Sequence, residues 1–125
     1  MYVYYNPNPN WILVGDCVIR ALCKLLQKDW LAIYTGICAQ GAVMYDMPSS
    51  NRVWGAYLRK MGFVKEILPN ICPDCYTVRD FCLDHPYGKY VLMLNGHVVA
   101  VEDGHYYDTW DSGDETPMFY WRKEQ

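Results

Sequence analysis

The carboxyl-terminal third of the chain contains two runs of apolar, β-branched and aromatic residues separated by Asp103-Gly104. The first run is KYVLMLNGHVVAV and the second is HYYDTW. An Asp-Gly pair between two such runs is a strong signal for a β-hairpin with a two-residue turn, because both residues tolerate the positive φ angles of that turn. A two-residue turn also determines which residues face each other across the hairpin, so this feature constrains the fold more than any other.

The register of this hairpin brings a histidine and an aspartate together. With a two-residue turn, Val99 lies opposite Asp108 and His97 lies opposite Trp110. His97 and Asp108 are then diagonal neighbours on one face, about 7–8 Å apart at the backbone, which an imidazole and a carboxylate can span. A turn one residue longer would put Asp108 on the other face. The alternative to a catalytic pair is a solvent-facing His-Asp pair that has no function.

Helical patterns precede these strands. The first begins at Cys17, directly after Asp16, a residue type that favours the N-cap position. Because helices come first and strands follow, we expect an α+β domain with N-terminal helices packed on a C-terminal antiparallel sheet. Further helices are expected to begin after Asp29, around Asn51 and at Thr77, with a last strand around Met118–Trp121.

The size and composition favour one globular domain. The chain has 125 residues, of which 52% are apolar and 20% are charged, a balance typical of a folded protein. We therefore expect residues 1–125 to form a single, monomeric domain. The large aromatic side chains of Trp54, Tyr57, Trp110 and Trp121 are expected in its core.

Charge and hydropathy exclude some partners. Eleven basic residues against fourteen acidic ones leave a net charge of −3, which does not provide the basic surface of a general nucleic-acid-binding protein. The first residues lack the basic segment and apolar run of a signal peptide, and no apolar run approaches the ~20 residues of a membrane helix. We expect a cytoplasmic protein with no nucleic-acid or membrane partner.

Cys17 is the candidate nucleophile among six cysteines. A thiol in the first turn of a helix lies at the positive end of the helix dipole, which lowers its pKa toward the reactive thiolate form. The alternative is a small buried apolar residue, and this interpretation is favoured for Cys23 and Cys38. In a cytoplasmic protein we expect the cysteines to be mostly reduced.

A second group of soft ligands has the spacing C-x2-C-x6-C-x2-H, in a pattern compatible with structural zinc. The alternatives are packing of the third cysteine under the sheet and a disulfide. We expect no metal and no cofactor. The residues of this group are Cys72, Cys75, Cys82 and His85.

Three short motifs together resemble the papain-like cysteine peptidase superfamily. They are Gly15-Asp-Cys17 at a helix start, Gly-His97-Val-Val-Ala-Val, and Tyr-Asp108-Thr-Trp110. The size is similar to that of the leader-peptide-processing domains of bacteriocin exporters, and the chain also resembles small proteins of gut bacteria and their phages. The resemblance implies a papain-like fold and a catalytic triad of Cys17, His97 and Asp108.

The activity implied is hydrolysis of a peptide, isopeptide or related amide bond in a protein or peptide substrate, through an acyl-enzyme. His97 would take the thiol proton and return it to the leaving amine. Asp108 would accept the proton of Nδ1 and leave Nε2 to act on Cys17.

The chain departs from the family at one position. Where the family places a glutamine six residues before the cysteine, this sequence has Trp11. We expect Asn10 or Asn8 to supply the oxyanion donor together with the Cys17 backbone N–H. The alternatives are a non-catalytic binding protein of this fold, such as a phage-borne inhibitor of a host factor, and an acyltransferase that uses the same triad.

Overall fold

The computed structural model describes residues 1–69 and 75–124, which contain four helices and one six-stranded sheet. The helices are α1 (Cys17–Leu26), α2 (Trp30–Met44), α3 (Asn51–Lys60) and α4 (Val78–Asp84). The strands are β1 (Tyr2–Tyr4), β2 (Phe63–Ile67), β3 (Lys89–Leu94), β4 (His97–Glu102), β5 (His105–Asp108) and β6 (Phe119–Lys123). The expectation of a mixed α+β architecture is confirmed.

The strand order in the sheet is β1-β5-β4-β3-β6-β2. The β4-β5 hairpin has the predicted two-residue turn, with Glu102 opposite His105, and both Asp103 and Gly104 have positive φ. Asn95-Gly96 forms a second two-residue turn between β3 and β4, so the long apolar run is two strands. Consecutive short turns make the centre of the sheet antiparallel.

Both faces of the sheet are covered. Val98 and Ala100 pack into a core cluster with α1, α2 and α3. The alternating residues Val99 and Val101 pack into a second cluster with α4. This alternation follows from the pleat, which turns successive side chains of a strand to opposite faces.

Two strands were not predicted from the sequence. β1 pairs with β5 in parallel at one edge, and β2 pairs with β6 at the other, so the sheet is not purely antiparallel. Both are edge strands of five residues or fewer. Their apolar pattern is too short to be distinctive, and they are defined by partners that are distant in sequence.

None of the helices in residues 1–69 and 75–124 combines the length and apolar character needed to cross a bilayer.

Candidate active site

Cys17 is the first residue of α1 and is partly buried. The helix begins here because the chain is turned by Gly15 and Asp16 before an amphipathic run. At this position the backbone N–H groups have no acceptor within the helix, so they point out of its N-terminus. The thiol and a free backbone donor therefore lie at the same helix end.

His97 and Asp108 are in direct contact. His97 is the first residue of β4 and Asp108 the last of β5, and His97 Nε2 lies 2.6 Å from Asp108 Oδ2. The predicted proximity is confirmed, but the nitrogen that contacts Asp108 is Nε2 rather than the predicted Nδ1. Diagonal partners are separated by roughly 7–8 Å at the backbone, and Nε2, at the far end of the ring, reaches across this separation.

The imidazole also interacts with the thiol. His97 and Cys17 shift each other's pKa through charge and hydrogen-bonding interactions. Because Nε2 is occupied by Asp108, Nδ1 is the ring nitrogen that remains for the sulfur. His97 thus contacts Asp108 and interacts with Cys17.

The electrostatic environment favours the charged forms of Cys17, His97 and Asp108. Burial alone raises the pKa of the Cys17 thiol, but hydrogen bonding and the charge of His97 outweigh it, so this pKa is lowered. Burial lowers the pKa of His97, whereas its contacts with Asp108 and Cys17 raise it, with a net increase to about 9. For Asp108, burial raises the pKa and the bond to His97 lowers it, with a net decrease. The balance favours a thiolate-imidazolium pair beside a carboxylate.

Asp108 has further partners that the sequence analysis missed. Its Oδ1 accepts from Arg20 Nη2 at 3.1 Å and from the Thr109 backbone N–H at 2.8 Å, and its Oδ2 accepts from Ser112 Oγ at 2.9 Å. The sequence signal for Arg20 was its position on an amphipathic helix, three residues after the candidate nucleophile. No local sequence pattern indicated that Ser112 would contact Asp108.

Asp16 occupies the N-cap position of α1 but does not cap it. Its side chain makes no hydrogen bond to the backbone of the first helical turn. Its two carboxylate oxygens instead accept from Arg20 Nη1 at 2.7 Å and from Trp30 Nε1 at 2.8 Å. The prediction of a capping role is therefore wrong, because ionic and indole donors from α1 and α2 compete for the carboxylate.

Cys17 and His97 line an open cleft of about 400 Å³. Trp110 lies at its edge with 44% of its surface exposed, and its ring centroid is 4.9 Å from that of His97. The prediction that Trp110 belongs to the core is wrong, because this residue lies beyond the end of β5 and packs at a tilt against the imidazole instead. The remaining lining residues are Leu13, Val14, Gly15, Asp16, Arg20, Gly96 and Thr109.

The structure does not bring Asn8 or Asn10 into this cleft, since neither is among its lining residues. Asn8 is buried, and its Oδ1 accepts the Asn10 backbone N–H at 2.9 Å. An asparagine followed by proline favours this local Asx turn, which uses the side chain within the loop. Trp11 is 81% exposed. The Cys17 backbone N–H is therefore the candidate oxyanion donor that the geometry supports.

The proposed zinc ligands are not brought together as a metal site in the described residues. Cys72 lies outside them. Cys75 is disulfide-bonded, and burial raises the pKa of the Cys82 thiol to about 11. His85 stacks on Phe81, and its Nδ1 lies 2.9 Å from the Phe81 carbonyl oxygen. Within residues 1–69 and 75–124, no three His, Cys, Asp or Glu side chains form a group that could hold a metal ion.

The remaining cysteines agree in part with the expectation of reduced thiols. Cys17, Cys23, Cys38 and Cys82 are free, whereas Cys75 is an exception. Burial raises the pKa of the Cys23 thiol to about 12. A depressed thiol pKa therefore distinguishes Cys17 from the buried thiols Cys23 and Cys82.

The fold and the site define an α+β protein with a Cys-His-Asp cluster in an open cleft. No family model, curated protein or solved structure matches the chain.

Proposed function

We propose that the protein is a cysteine peptidase or amidase with a papain-like fold. The observation that carries this proposal is that Cys17 and His97 line one open cleft and shift each other's pKa, while His97 also contacts the fully buried Asp108. A nucleophile, a base and a group that orients the base are the parts that acyl transfer by a thiol requires.

In the first half of the reaction, the Cys17 thiolate attacks the carbonyl carbon of the scissile amide. The negative charge that develops on the carbonyl oxygen is stabilised by the Cys17 backbone N–H. His97, protonated at Nδ1, gives its proton to the nitrogen of the leaving amine as the C–N bond breaks. The products of this half are a free amine and a thioester on Cys17.

In the second half, neutral His97 takes a proton from a water molecule. The hydroxide that forms attacks the thioester carbonyl, the C–S bond breaks, and the carboxylic acid product leaves. Throughout, Asp108 holds Nε2–H and keeps the ring turned toward the sulfur. An acyltransferase would differ only in the acceptor, because an amine or alcohol would replace water.

The substrate class proposed is a protein or peptide, which the open cleft leaves room for. Leu13, Val14 and Trp110 form an exposed apolar wall beside Cys17 and His97. A cytoplasmic location is part of the same proposal and is supported by the four free cysteines in the described residues, although Cys75 is disulfide-bonded.

One observation favours a second candidate, a non-catalytic binding protein. No asparagine or glutamine side chain lines the described cleft, so the oxyanion has no side-chain amide donor of the kind the resemblance implies. Loss of one oxyanion donor reduces turnover by roughly 10²–10³-fold. A protein of this kind would use the same cleft to hold a partner without cleaving it.

Covalent labelling followed by intact-mass spectrometry separates these candidates. Iodoacetamide at neutral pH should modify Cys17 first, and His97→Ala should slow this by roughly tenfold or more because the thiolate loses its partner. A peptidyl vinyl sulfone should give one adduct in the wild type and none in Cys17→Ala. Cys38→Ala is the matched control, since Cys38 is also a free, partly buried thiol.

Each contrary result has a definite meaning. Equal labelling of all cysteines, and only in denaturant, would make Cys17 a packing residue and would end the enzyme proposal. Selective reaction with iodoacetamide but no vinyl sulfone adduct would favour the binding protein, because the thiol would be activated but a peptide bound in the cleft would not be positioned for attack by it.

A further inference from the structure

Arg20 is a buried cation held between two buried carboxylates. Its side chain is 6% exposed, while those of Asp16 and Asp108 are 3% and 0% exposed. Nη1 lies 2.7 Å from Asp16 Oδ1, and Nη2 lies 3.1 Å from Asp108 Oδ1. The two nitrogens of one guanidinium therefore connect the N-cap of α1 to the last residue of β5.

Such an arrangement is costly unless every charge is paired. A buried ion loses its hydration, and arginine cannot avoid this by releasing its proton. The planar guanidinium offsets the lost hydration energy through two hydrogen bonds to carboxylates, which also define the orientation of those carboxylates. The position of Asp108 is thereby linked to the helix that carries Cys17.

The two oxygens of Asp108 have different partners. Oδ1 accepts from Arg20 and from the Thr109 N–H, whereas Oδ2 accepts from Ser112 Oγ and faces His97 Nε2. Rotation of the carboxylate would break the contacts on both oxygens together. Arg20 thus stabilises the one orientation in which Oδ2 meets the imidazole.

We propose that Arg20 is a positioning residue of the active site: by bridging Asp16 and Asp108 it keeps the Asp108 carboxylate charged and turned toward His97. The inference rests on the proposed function, because it acts through the Cys17-His97 pair. Arg20 takes no part in bond making.

Groups from other elements also contact Asp16 and Asp108. From β1, the Tyr2 hydroxyl donates to the Asp108 backbone carbonyl at 3.1 Å, and from α2, Trp30 donates to Asp16. Ser112 and the Thr109 N–H are uncharged donors. Among the described contacts of Asp108, Arg20 and His97 are therefore the two that can carry positive charge.

Asp16 and Arg20 carry opposite charges and line the same cleft as Cys17. Removing each charge should therefore shift the pKa of the thiol in opposite directions. Removing the positive charge in Arg20→Met should disfavour the Cys17 thiolate. Removing the negative charge in Asp16→Asn should favour it. The asparagine oxygen can still accept from Arg20, whereas the bond from Trp30 Nε1 is lost because the amide nitrogen only donates. A purely structural disturbance would instead shift the pKa of Cys17 in the same direction in both variants.

The readout is the rate of iodoacetamide labelling of Cys17 from about pH 5 to about pH 9, which traces the thiolate population. For Arg20→Met we expect the midpoint to rise and the labelling rate at about pH 6 to fall roughly tenfold, which corresponds to about one pKa unit. For Asp16→Asn we expect a lower midpoint. Arg20→Lys, which keeps the charge but not the planar pair of donors, should fall between the wild type and Arg20→Met.

The matched control is Arg52→Met. Arg52 on α3 also pairs with an aspartate, Asp46, at 3.1 Å, but this pair is exposed and outside the cleft. This variant should leave the profile unchanged. Near-ultraviolet circular dichroism of each variant reports whether the tertiary fold is intact.

The outcomes are distinguishable. If wild-type Cys17 is not labelled selectively, the proposed function fails. If it is, but Arg20→Lys and Asp16→Asn keep the wild-type midpoint or shift it in the same direction, the positioning role of Arg20 is overturned while the enzyme proposal stands. If Arg20→Met does not fold, the opposite shifts of Arg20→Lys and Asp16→Asn decide the question.

Discussion

At the residue scale, the chemistry of His97 is set by what surrounds it. Burial alone would lower the pKa of an imidazole, yet the contacts with Asp108 and Cys17 raise it to about 9. Trp110 packs at a tilt against the ring and limits its exposure to water. The same residue type on an open surface would titrate near its ordinary value of about 6.5, so the environment makes His97 a charged partner at neutral pH.

This shift has a consequence for stability. A group whose pKa is higher in the folded state contributes stability that is fully present below its unfolded pKa and is lost as the pH rises through its folded pKa. For His97 the loss should fall between about pH 6.5 and about pH 9. The free energy of urea unfolding should therefore differ most between His97 and His97→Gln proteins at low pH, and the difference should shrink across this window.

Both proteins in this comparison should carry Cys17→Ala, so that titration of the thiol does not enter. The bond to Asp108 remains in that background and continues to raise the pKa of His97. Because the contribution of Cys17 is removed, the window should end below pH 9 in these two proteins. A difference in unfolding free energy that grows with pH would contradict the assignment of a charged His97.

At the element scale, the segment before α1 and the residues that follow β5 together supply the exposed apolar wall of the cleft. Leu13 and Val14 come from the first segment, and Trp110 comes from the second. Leu13 is 71% exposed, so its side chain is available to a substrate instead of packing in the core. Apolar surface of this kind gains stability when a ligand covers it.

We therefore expect Leu13→Ala to slow the reaction of Cys17 with a leucine-containing peptidyl vinyl sulfone by roughly three- to tenfold, on the order of the apolar area lost at about 25 cal/mol per Å². Its reaction with iodoacetamide should be unchanged, since that reagent is too small to use the wall. Ile12→Ala is the control, because Ile12 is 51% exposed but does not line the cleft. Equal effects of the two substitutions would show that Leu13 does not contact the peptide.

At the scale of the whole molecule, the position of the nucleophile depends on the core between the helices and the sheet. Leu22 on α1 is fully buried in the cluster that includes Val98 and Ala100 of β4. Cys17 packs against the same cluster. The contact between α1 and β4 thus brings the thiol to the strand that carries His97.

Leu22→Ala should destabilise the protein by about 2–5 kcal/mol, because it removes a buried side chain and leaves a cavity. Leu31→Ala is the control, since Leu31 on α2 is 63% exposed and its substitution should change stability by about 0.5 kcal/mol or less. Denaturant unfolding followed by tryptophan fluorescence measures both. A cost for Leu22→Ala as small as that of the control would contradict the assigned packing.

Much of the fold was predictable from local patterns. The β4-β5 register followed from Asp103-Gly104, because a two-residue turn leaves a single pairing for the residues beside it. The start of α1 at Cys17 followed from the preference of aspartate for the N-cap position, although the Asp16 side chain makes no capping hydrogen bond. The edge strands β1 and β2 were not predictable, since their pairing partners are remote in sequence and their own pattern is short.

The sequence by itself determined the α+β class, the hairpin register and, through them, the contact of His97 with Asp108. These features depend on neighbours a few residues apart, whose geometry the backbone limits to a few forms. Only the tertiary structure decided that Nε2 faces Asp108, that Arg20 joins Asp16 to Asp108, and that Asn8 stays out of the cleft. Those outcomes depend on which buried charges and donors compete for one partner, and that competition exists only after helices and sheet have packed together.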